Sequence, residues 1–269
     1  MSSNFPIGIF DSGVGGLSVL RHIRKSLPRE NLIYVADRRH IPYGNKSDNS
    51  VRARAQTISH FLLKQQAKAI VVACNTATAA AVSLLRDQFP IPIIGMEPGV
   101  KPAIHQSKNG NIGVLATEGT LDSGKFRILL ERHANGVDLF IKPCHGWVEW
   151  IESGQLSGPA SLPLIQQTLD PLIEKNIDTL VLGCTHYPFL KESIQQVVGA
   201  GVNIIDTGLA VAAQLRRRLE EEALLNDSLS PAEERFWCTG PLDEMQQLLS
   251  LMWDTKAQVD IMPDQANLS

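Results

Sequence analysis

The chain has 269 residues, with 25 Lys and Arg against 28 Asp and Glu, a net charge of −3 and an apolar fraction of 43%. That length supports one large core or two small ones, and the charge balance supplies no basic surface that would single out nucleic acid or an anionic membrane as the main partner. No apolar run approaches the ~20 residues of a membrane span, and residues 1–6 lack the basic segment and apolar core of a signal peptide, so a cytoplasmic protein is expected.

In chain order, Ile7–Phe10 predicts a strand and Leu17–Leu27 an amphipathic helix. The strand Leu32–Ala36, the helix Val51–Gln65 and the strands Ala69–Ala73 and Ile91–Gly95 follow. Next come the strand Ile112–Ala116, the helix Gly124–His133, the strand Leu139–Lys142, the helix Ser161–Lys175, and the strands Thr179–Gly183 and Val202–Ile205. From about Leu209 the pattern is mostly helical, with one apolar piece at Arg235–Cys238 and a solvated charge run over Arg216–Arg218 and Glu220–Glu222. Near-continuous apolar strands separated by helices predict an α/β fold with mostly parallel sheets flanked by helices. Ligands of such sheets bind beyond the carboxyl ends of the strands, so the loops just after the strands are where chemistry is expected.

The two halves resemble each other. Ile7–Ser12 matches Ile112–Thr117 at an offset of 105, Ile70–Thr76 matches Leu180–Thr185 at 110, and Ile93–Val100 matches Ile204–Val211 at 111. One match would be chance between apolar strands; three collinear ones predict an internal duplication rather than two ordinary α/β units. The expected organisation is a first domain of residues 1–98 with 208–269, whose tail packs back on it, and a second domain over Gly99–Thr207. The two would be pseudo-symmetric, with the active site in the cleft between them.

There are four cysteines, Cys74, Cys144, Cys184 and Cys238, and no C-x-x-C pair. In a reducing compartment they are expected to be free thiols. Cys74 and Cys184 hold matching places, each directly after a strand and before a helical stretch. A helix N-terminus stabilises a thiolate and lowers its pKa. The bland alternative is a small buried hydrophobe, the commonest fate of a free cysteine. It fits Cys144 and Cys238 better than a pair in duplicated positions. If two such domains face each other, one thiolate can take a proton from a carbon centre while the other thiol delivers one to the opposite face. That is the chemistry of a reaction whose substrate and product are mirror images.

At these residues the sequence resembles the glutamate racemases of the aspartate/glutamate racemase superfamily. The resemblance is carried by Phe10-Asp11-Ser12-Gly13-Val14-Gly15-Gly16-Leu17, Pro42-Tyr43-Gly44, Ala73-Cys74-Asn75-Thr76-Ala77, Thr117-Glu118-Gly119-Thr120 and Gly183-Cys184-Thr185-His186-Tyr187-Pro188. It implies a two-domain isomerase that uses neither PLP nor a metal and supplies D-glutamate for peptidoglycan, hence for cell-wall biogenesis and cell shape. It also implies that Cys74 acts on D-glutamate with help from Asp11, and Cys184 on L-glutamate with help from His186. Asp37 and Glu152 match further acidic positions of the family, although Trp147 and Trp150 near Glu152 stand where smaller or aliphatic residues are common. Some members respond to a cell-wall precursor through an N-terminal extension; this chain begins a few residues before its first strand, and that control is not expected.

The substrate-binding candidates are Asp11, Ser12, Tyr43, Gly44, Asn75, Thr76, Thr117, Thr120, Thr185 and His186. The Gly-rich turn Asp11–Gly16 would offer backbone N–H groups to a carboxylate; it has neither the spacing and Lys of a P-loop nor G-x-G-x-x-G. No Arg directly follows a strand in the matched loops, so neutral hydroxyls, amides and N–H groups would hold glutamate, which suits two mirror-image ligands. Each Ser or Thr also has a helix-capping reading. His145, beside Cys144, is a weaker candidate. The rival functions are another cofactor-free racemase, such as one for aspartate; a metal-dependent hydrolase using Cys74, Cys184 and His186; and a non-enzymatic binding protein for an acidic amino acid. The sequence leaves the oligomeric state open, and a homodimer is one arrangement it allows.

Overall fold

The eight apolar runs between Ile7 and Ile205 all form strands in a computed structural model, which describes residues 3–134 and 136–263. In chain order the strands are β1 (Ile7–Asp11), β2 (Leu32–Ala36), β3 (Ala69–Val72), β4 (Ile93–Ile94), β5 (Asn111–Ala116), β6 (Asp138–Pro143), β7 (Thr179–Leu182), β8 (Asn203–Ile205), β9 (Glu234–Cys238) and β10 (Val259–Ile261). The helices are α1 (Leu17–Ser26), α2 (Asp48–Lys64), α3 (Asn75–Gln88), α4 (Val100–Gln106), α5 (Glu118–Leu121), α6 (Gly124–His133), α7 (Trp147–Glu152), α8 (Leu162–Ile173), α9 (Lys191–Val198), α10 (Gly208–Glu221) and α11 (Leu242–Met252). The chain divides into two units, Met1–Met96 with Gly208–Ser269, and Glu97–Thr207.

The first unit carries a parallel sheet in the order β10-β9-β2-β1-β3-β4. Its central strands are buried along their whole length, which is why they read as unbroken apolar runs. On one face, Phe61 and Leu62 of α2 and Ala81 and Leu85 of α3 meet Phe10, Ile33, Ile70 and Val72. Elsewhere in the unit, α1 packs against α10. The second unit holds a parallel sheet in the order β6-β5-β7-β8, with Ile112, Val114 and Val181 packed against Val100, Ala103 and Phe126.

The order β2-β1-β3-β4 in one sheet repeats as β6-β5-β7-β8 in the other, so the repeated sequence segments occupy equivalent strands. Two details differ from the sequence reading. β4 covers only Ile93–Ile94, because Pro92 in the predicted run has no N–H to give to a ladder. The tail contributes two strands rather than one: β9 pairs with β2, and β10 with β9. β10 is a three-residue edge strand with no buried residue, too short and too exposed to show an apolar pattern.

The tail is tied to the sheet by a buried ion pair. Lys68, just before β3, is fully buried; its ammonium lies 2.5 Å from Glu30 and donates to the carbonyls of Ser3 and Leu224. Glu30 in turn accepts the N–H of Asn226 at 2.8 Å. Breaking such a pair leaves an uncompensated buried charge, at a cost of roughly 3–5 kcal/mol. Lys68→Met is therefore expected to lower unfolding stability by about that amount in urea titration, and Lys68→Met with Glu30→Leu by clearly less.

Candidate active site

In a parallel sheet the hydrogen-bond ladder continues past the strand ends and sets the first loop residues side by side. The N–H of Asp37 donates to Asp11 O at 3.0 Å, that of Ala73 to Phe10 O at 2.8 Å and that of Thr239 to Ala36 O at 3.1 Å. Asp11, Asp37, Cys74 and Thr239 thus leave one edge of the first sheet. Cys74 is the N-cap of α3, with extended backbone, and its Sγ accepts the N–H of Ala77 at 3.4 Å. That N–H and the positive end of the helix both stabilise a thiolate. Asn75 and Thr76 follow in the first helical turn and are almost wholly buried. Both polar atoms of the Asn75 amide are buried without a hydrogen-bond partner, a costly condition for a polar side chain.

Asp11 is fully buried at the end of β1. Its Oδ2 accepts the N–H of Gly16 at 2.7 Å and its Oδ1 the Ser12 hydroxyl at 3.5 Å. A Cβ on Gly16 would stand 2.8 Å from both Asp11 Cβ and the Tyr34 hydroxyl, which itself donates to Gly13 O at 2.6 Å. The Gly-rich turn is therefore clamped from within, and the Gly16 N–H serves Asp11.

Asp37 is a heavily bonded carboxylate at this edge. Arg54 grips it with Nε on Oδ2 at 2.9 Å and Nη2 on Oδ1 at 2.8 Å. The Tyr43 hydroxyl donates to Oδ2 at 2.6 Å and the Thr239 hydroxyl to Oδ1 at 2.9 Å, while His40 Nδ1 lies 3.1 Å from Oδ1. Burial pushes the Asp37 pKa up, but the Arg54 guanidinium, the Tyr43 hydroxyl and His40 outweigh it and hold the carboxyl below its ordinary range. Burial pushes the Tyr43 phenol well above its ordinary value, and the charges of Asp37 and Cys74 add to this. Tyr43 and Gly44 stand in one short turn, Tyr43–Asn45, and the Tyr43 hydroxyl is committed to Asp37. Sequence reasoning missed Arg54 and Thr239. One lies mid-helix in α2, the other in the tail, and neither follows a motif.

The second sheet presents Cys144, Thr117 and Cys184 after β6, β5 and β7. Gly183 N–H donates to Leu115 O at 2.7 Å, and a Cβ there would meet the same oxygen at 2.7 Å, so only glycine lets β7 end this close to β5. Cys184 Sγ lies 3.7 Å from His186 Nδ1, and His186 Nε2 lies 2.8 Å from Glu152 Oε1, with the imidazole and the carboxylate both buried. A thiol, an imidazole and an orienting carboxylate in line form a proton-handling row. No α-helix starts at Cys184: a 3-10 turn, Tyr187–Leu190, intervenes and α9 begins at Lys191. The helix-terminus argument therefore holds for Cys74 and fails for Cys184, where His186 takes its place. Trp147, fully buried on α7, packs edge-on against Tyr187 with ring centres 5.1 Å apart, anchoring the helix that ends in Glu152 next to the His186 loop.

Thr117 caps α5, accepting the Thr120 N–H at 3.4 Å, and the two hydroxyls lie 3.0 Å apart. Thr120 and Thr185 are buried. His145 is exposed, 3.7 Å from Glu118. Cys144 and Cys238 are buried thiols whose pKa is raised chiefly by that burial. Among the described residues, no three His, Cys, Asp or Glu side chains form a metal-binding group, and no helix is long and apolar enough to cross a membrane.

The model of the Asp/Glu/Hydantoin racemase family matches residues 7–215. The chain belongs to that family. Among relatives, it is 53% identical over 258 residues to the glutamate racemase of Methylococcus capsulatus, covering 96% of this chain and 95% of the relative. Among solved structures, glutamate racemase from Francisella tularensis in complex with D-glutamate superposes with a TM-score of 0.84 at 33% identity, covering 98% of this chain and 99% of the other. Escherichia coli glutamate racemase in complex with L-glutamate and the activator UDP-MurNAc-ala superposes at 0.85 and 32% identity, covering 96% and 98%. This racemase-family chain thus has the α/β fold with helix-flanked parallel sheets expected from its strand pattern.

Because Asp37 titrates below its ordinary value of 3.8, its ionised form stabilises the fold above that pH, and this contribution is lost as pH falls through the depressed value. Asp37→Asn is therefore expected to destabilise the protein at pH 7, and the gap to wild type should narrow in denaturant titrations below about pH 4.

Proposed function

We propose that this chain interconverts L- and D-glutamate without a cofactor, by a two-base transfer of the α-proton between Cys74 and Cys184, and so supplies D-glutamate for peptidoglycan in the cytoplasm. The observation that carries this reading is the pair of thiols at equivalent strand ends of two sheets with the same topology, each with its own proton-controlling group. Its relatives named as glutamate racemases, one of them solved with D-glutamate and another with L-glutamate, support the substrate.

In this reading the Cys74 thiolate, stabilised by the Ala77 N–H and the α3 terminus, takes the α-proton of D-glutamate. The Cys184 thiol then protonates the opposite face, giving L-glutamate. His186, oriented by Glu152, restores the proton of Cys184. In the reverse direction Cys184 is the base, with His186 accepting its thiol proton, and Cys74 is the acid. Asp11 assists Cys74. The Asn75 amide, with Ser12, Tyr43, Gly44, Thr76, Thr117, Thr120 and Thr185, forms the neutral surround that holds the carboxylates and ammonium. Neutral donors suit mirror-image ligands, because neither enantiomer is trapped by a strong ion pair.

Cys74→Ala and Cys184→Ala are each expected to cut racemisation by about 10²–10⁴-fold or more while leaving the fold intact. The test is racemisation of purified L- and D-glutamate in D₂O without added PLP or metal, following deuterium at Cα. Full activity in either variant refutes the two-base assignment. Faster turnover of aspartate than of glutamate moves the substrate to the rival racemase, and binding of glutamate without exchange points to a binding protein.

A further inference from the structure

The tightest polar cluster at the Cys74 edge includes two residues outside every motif, Arg54 and Thr239. The Asp37 carboxylate is fully buried, yet it holds no visible reacting group: its partners are Arg54, Thr239, His40 and Tyr43. A buried carboxylate is costly unless a cation and hydrogen bonds satisfy it, and the bidentate guanidinium does both with fixed geometry. What this anchored charge holds is the Tyr43 hydroxyl, at 2.6 Å. The Tyr43 ring is buried in the same core cluster as Cys74 and Ala77, and the turn that carries it packs against α3, the helix that Cys74 caps. A chain of direct contacts therefore runs from α2 and β9 through Asp37 and Tyr43 to the N-terminus of α3.

We infer that Arg54, with Thr239 from the tail, is a positioning residue for the Cys74 half of the reaction: it clamps Asp37 as the acceptor that pins the Tyr43 hydroxyl and so fixes the Tyr43–Asn45 turn against the thiol's helix. This deepens the racemase reading. The Tyr43 hydroxyl donates its hydrogen bond to Asp37, so that proton is not offered to the Cys74 thiolate. Without the guanidinium, Asp37 is left buried with no fork to fix its orientation, and the Tyr43 hydroxyl loses its fixed acceptor. Thr239 supplies a further hydrogen bond to Oδ1, and its own oxygen is placed by the Arg39 N–H at 3.1 Å. That contact makes the tail a structural participant at the site edge.

The test compares Arg54→Gln, Arg54→Lys, Thr239→Val and the double variant Arg54→Gln/Asp37→Asn with wild type in two measurements. One is kcat and KM for both glutamate enantiomers; the other is the rate of iodoacetamide alkylation at Cys74 relative to Cys184, read by mass spectrometry of the labelled peptides. Arg54→Gln is expected to lower kcat by about tenfold or more and to change the Cys74-to-Cys184 alkylation ratio by about threefold or more, through Cys74 alone. Arg54→Lys should recover part of the loss, because it restores the charge but not the fork. The double variant, which removes charge and countercharge together, should be less impaired than Arg54→Gln. If Arg54→Gln does not fold, Arg54→Lys and Thr239→Val carry the same readout, with a shift of about twofold or more in the ratio expected for each. Folded variants with unchanged kcat and an unchanged ratio overturn the inference, and so does a loss of kcat with an unchanged ratio, since Arg54 would then act elsewhere. Wild-type protein that fails to racemise glutamate refutes the proposed function, while the alkylation ratio still decides the role of Arg54.

Discussion

Parallel strand pairing is the constraint on which the rest of this molecule depends. Parallel strands all leave a sheet at the same edge, so residues far apart in sequence become neighbours just beyond the last ladder bond. In the first sheet this brings Asp11, Asp37, Cys74 and Thr239 to one edge; in the second it does the same for Thr117, Cys144 and Cys184. The tolerance is small. A Cβ on Gly183 would sit 2.7 Å from a backbone oxygen of the adjacent strand, and one on Gly16 would strike Asp11 and Tyr34, so both positions exclude side chains to let the chain pass.

The two thiols share a place in the topology but differ in how their protons are governed. Cys74 has the Ala77 N–H at 3.4 Å and the end of a helix beside it. A helix terminus is worth roughly 0.3–1 kcal/mol for a charge beside it, rising to about 2 in partly buried settings. Cys184 relies on side chains, with His186 between sulfur and the Glu152 carboxylate. Under the proposed two-base transfer, modest stabilisation suits a thiol that is base in one direction and acid in the other, because a thiolate held too strongly would be a poor base. The shared placement goes with the matching strand order of the two sheets, while the groups next to each thiol differ.

Buried charge also explains why the C-terminal tail belongs to the first unit and is more than an appendage. Lys68 and Glu30 bind Leu224 and Asn226 where the chain leaves α10, and Asp37 takes the Thr239 hydroxyl where it leaves β9. β9 extends the sheet beside β2 between these two points. Each attachment closes a long loop with bonds to ionised, water-excluded groups, stronger than their neutral counterparts.

Much of the design was legible in the amino-acid order because it rests on local rules. Apolar runs named eight strands, the repeat named two matching sheets, and the small residues around Cys74 and Cys184 marked strand ends. The pairing of His186 with Cys184 was visible too, since they are two residues apart. Other features have no local cause. Glu152 reaches His186 from 34 positions away on a helix anchored by Trp147, Arg54 reaches Asp37 from 17 away, and Thr239 from 202 away. An arginine mid-helix and a threonine in a tail look like ordinary surface and strand residues until packing lays α2 and β9 beside the end of β2. The same holds for the segment after Cys184: small residues after a strand predicted a helix start, but the chain makes a 3-10 turn first, and the thiol takes its partner from a side chain. Periodicity and spacing describe what a segment is; which charge meets which is set by the meeting of segments, and that is a property of the packed chain alone.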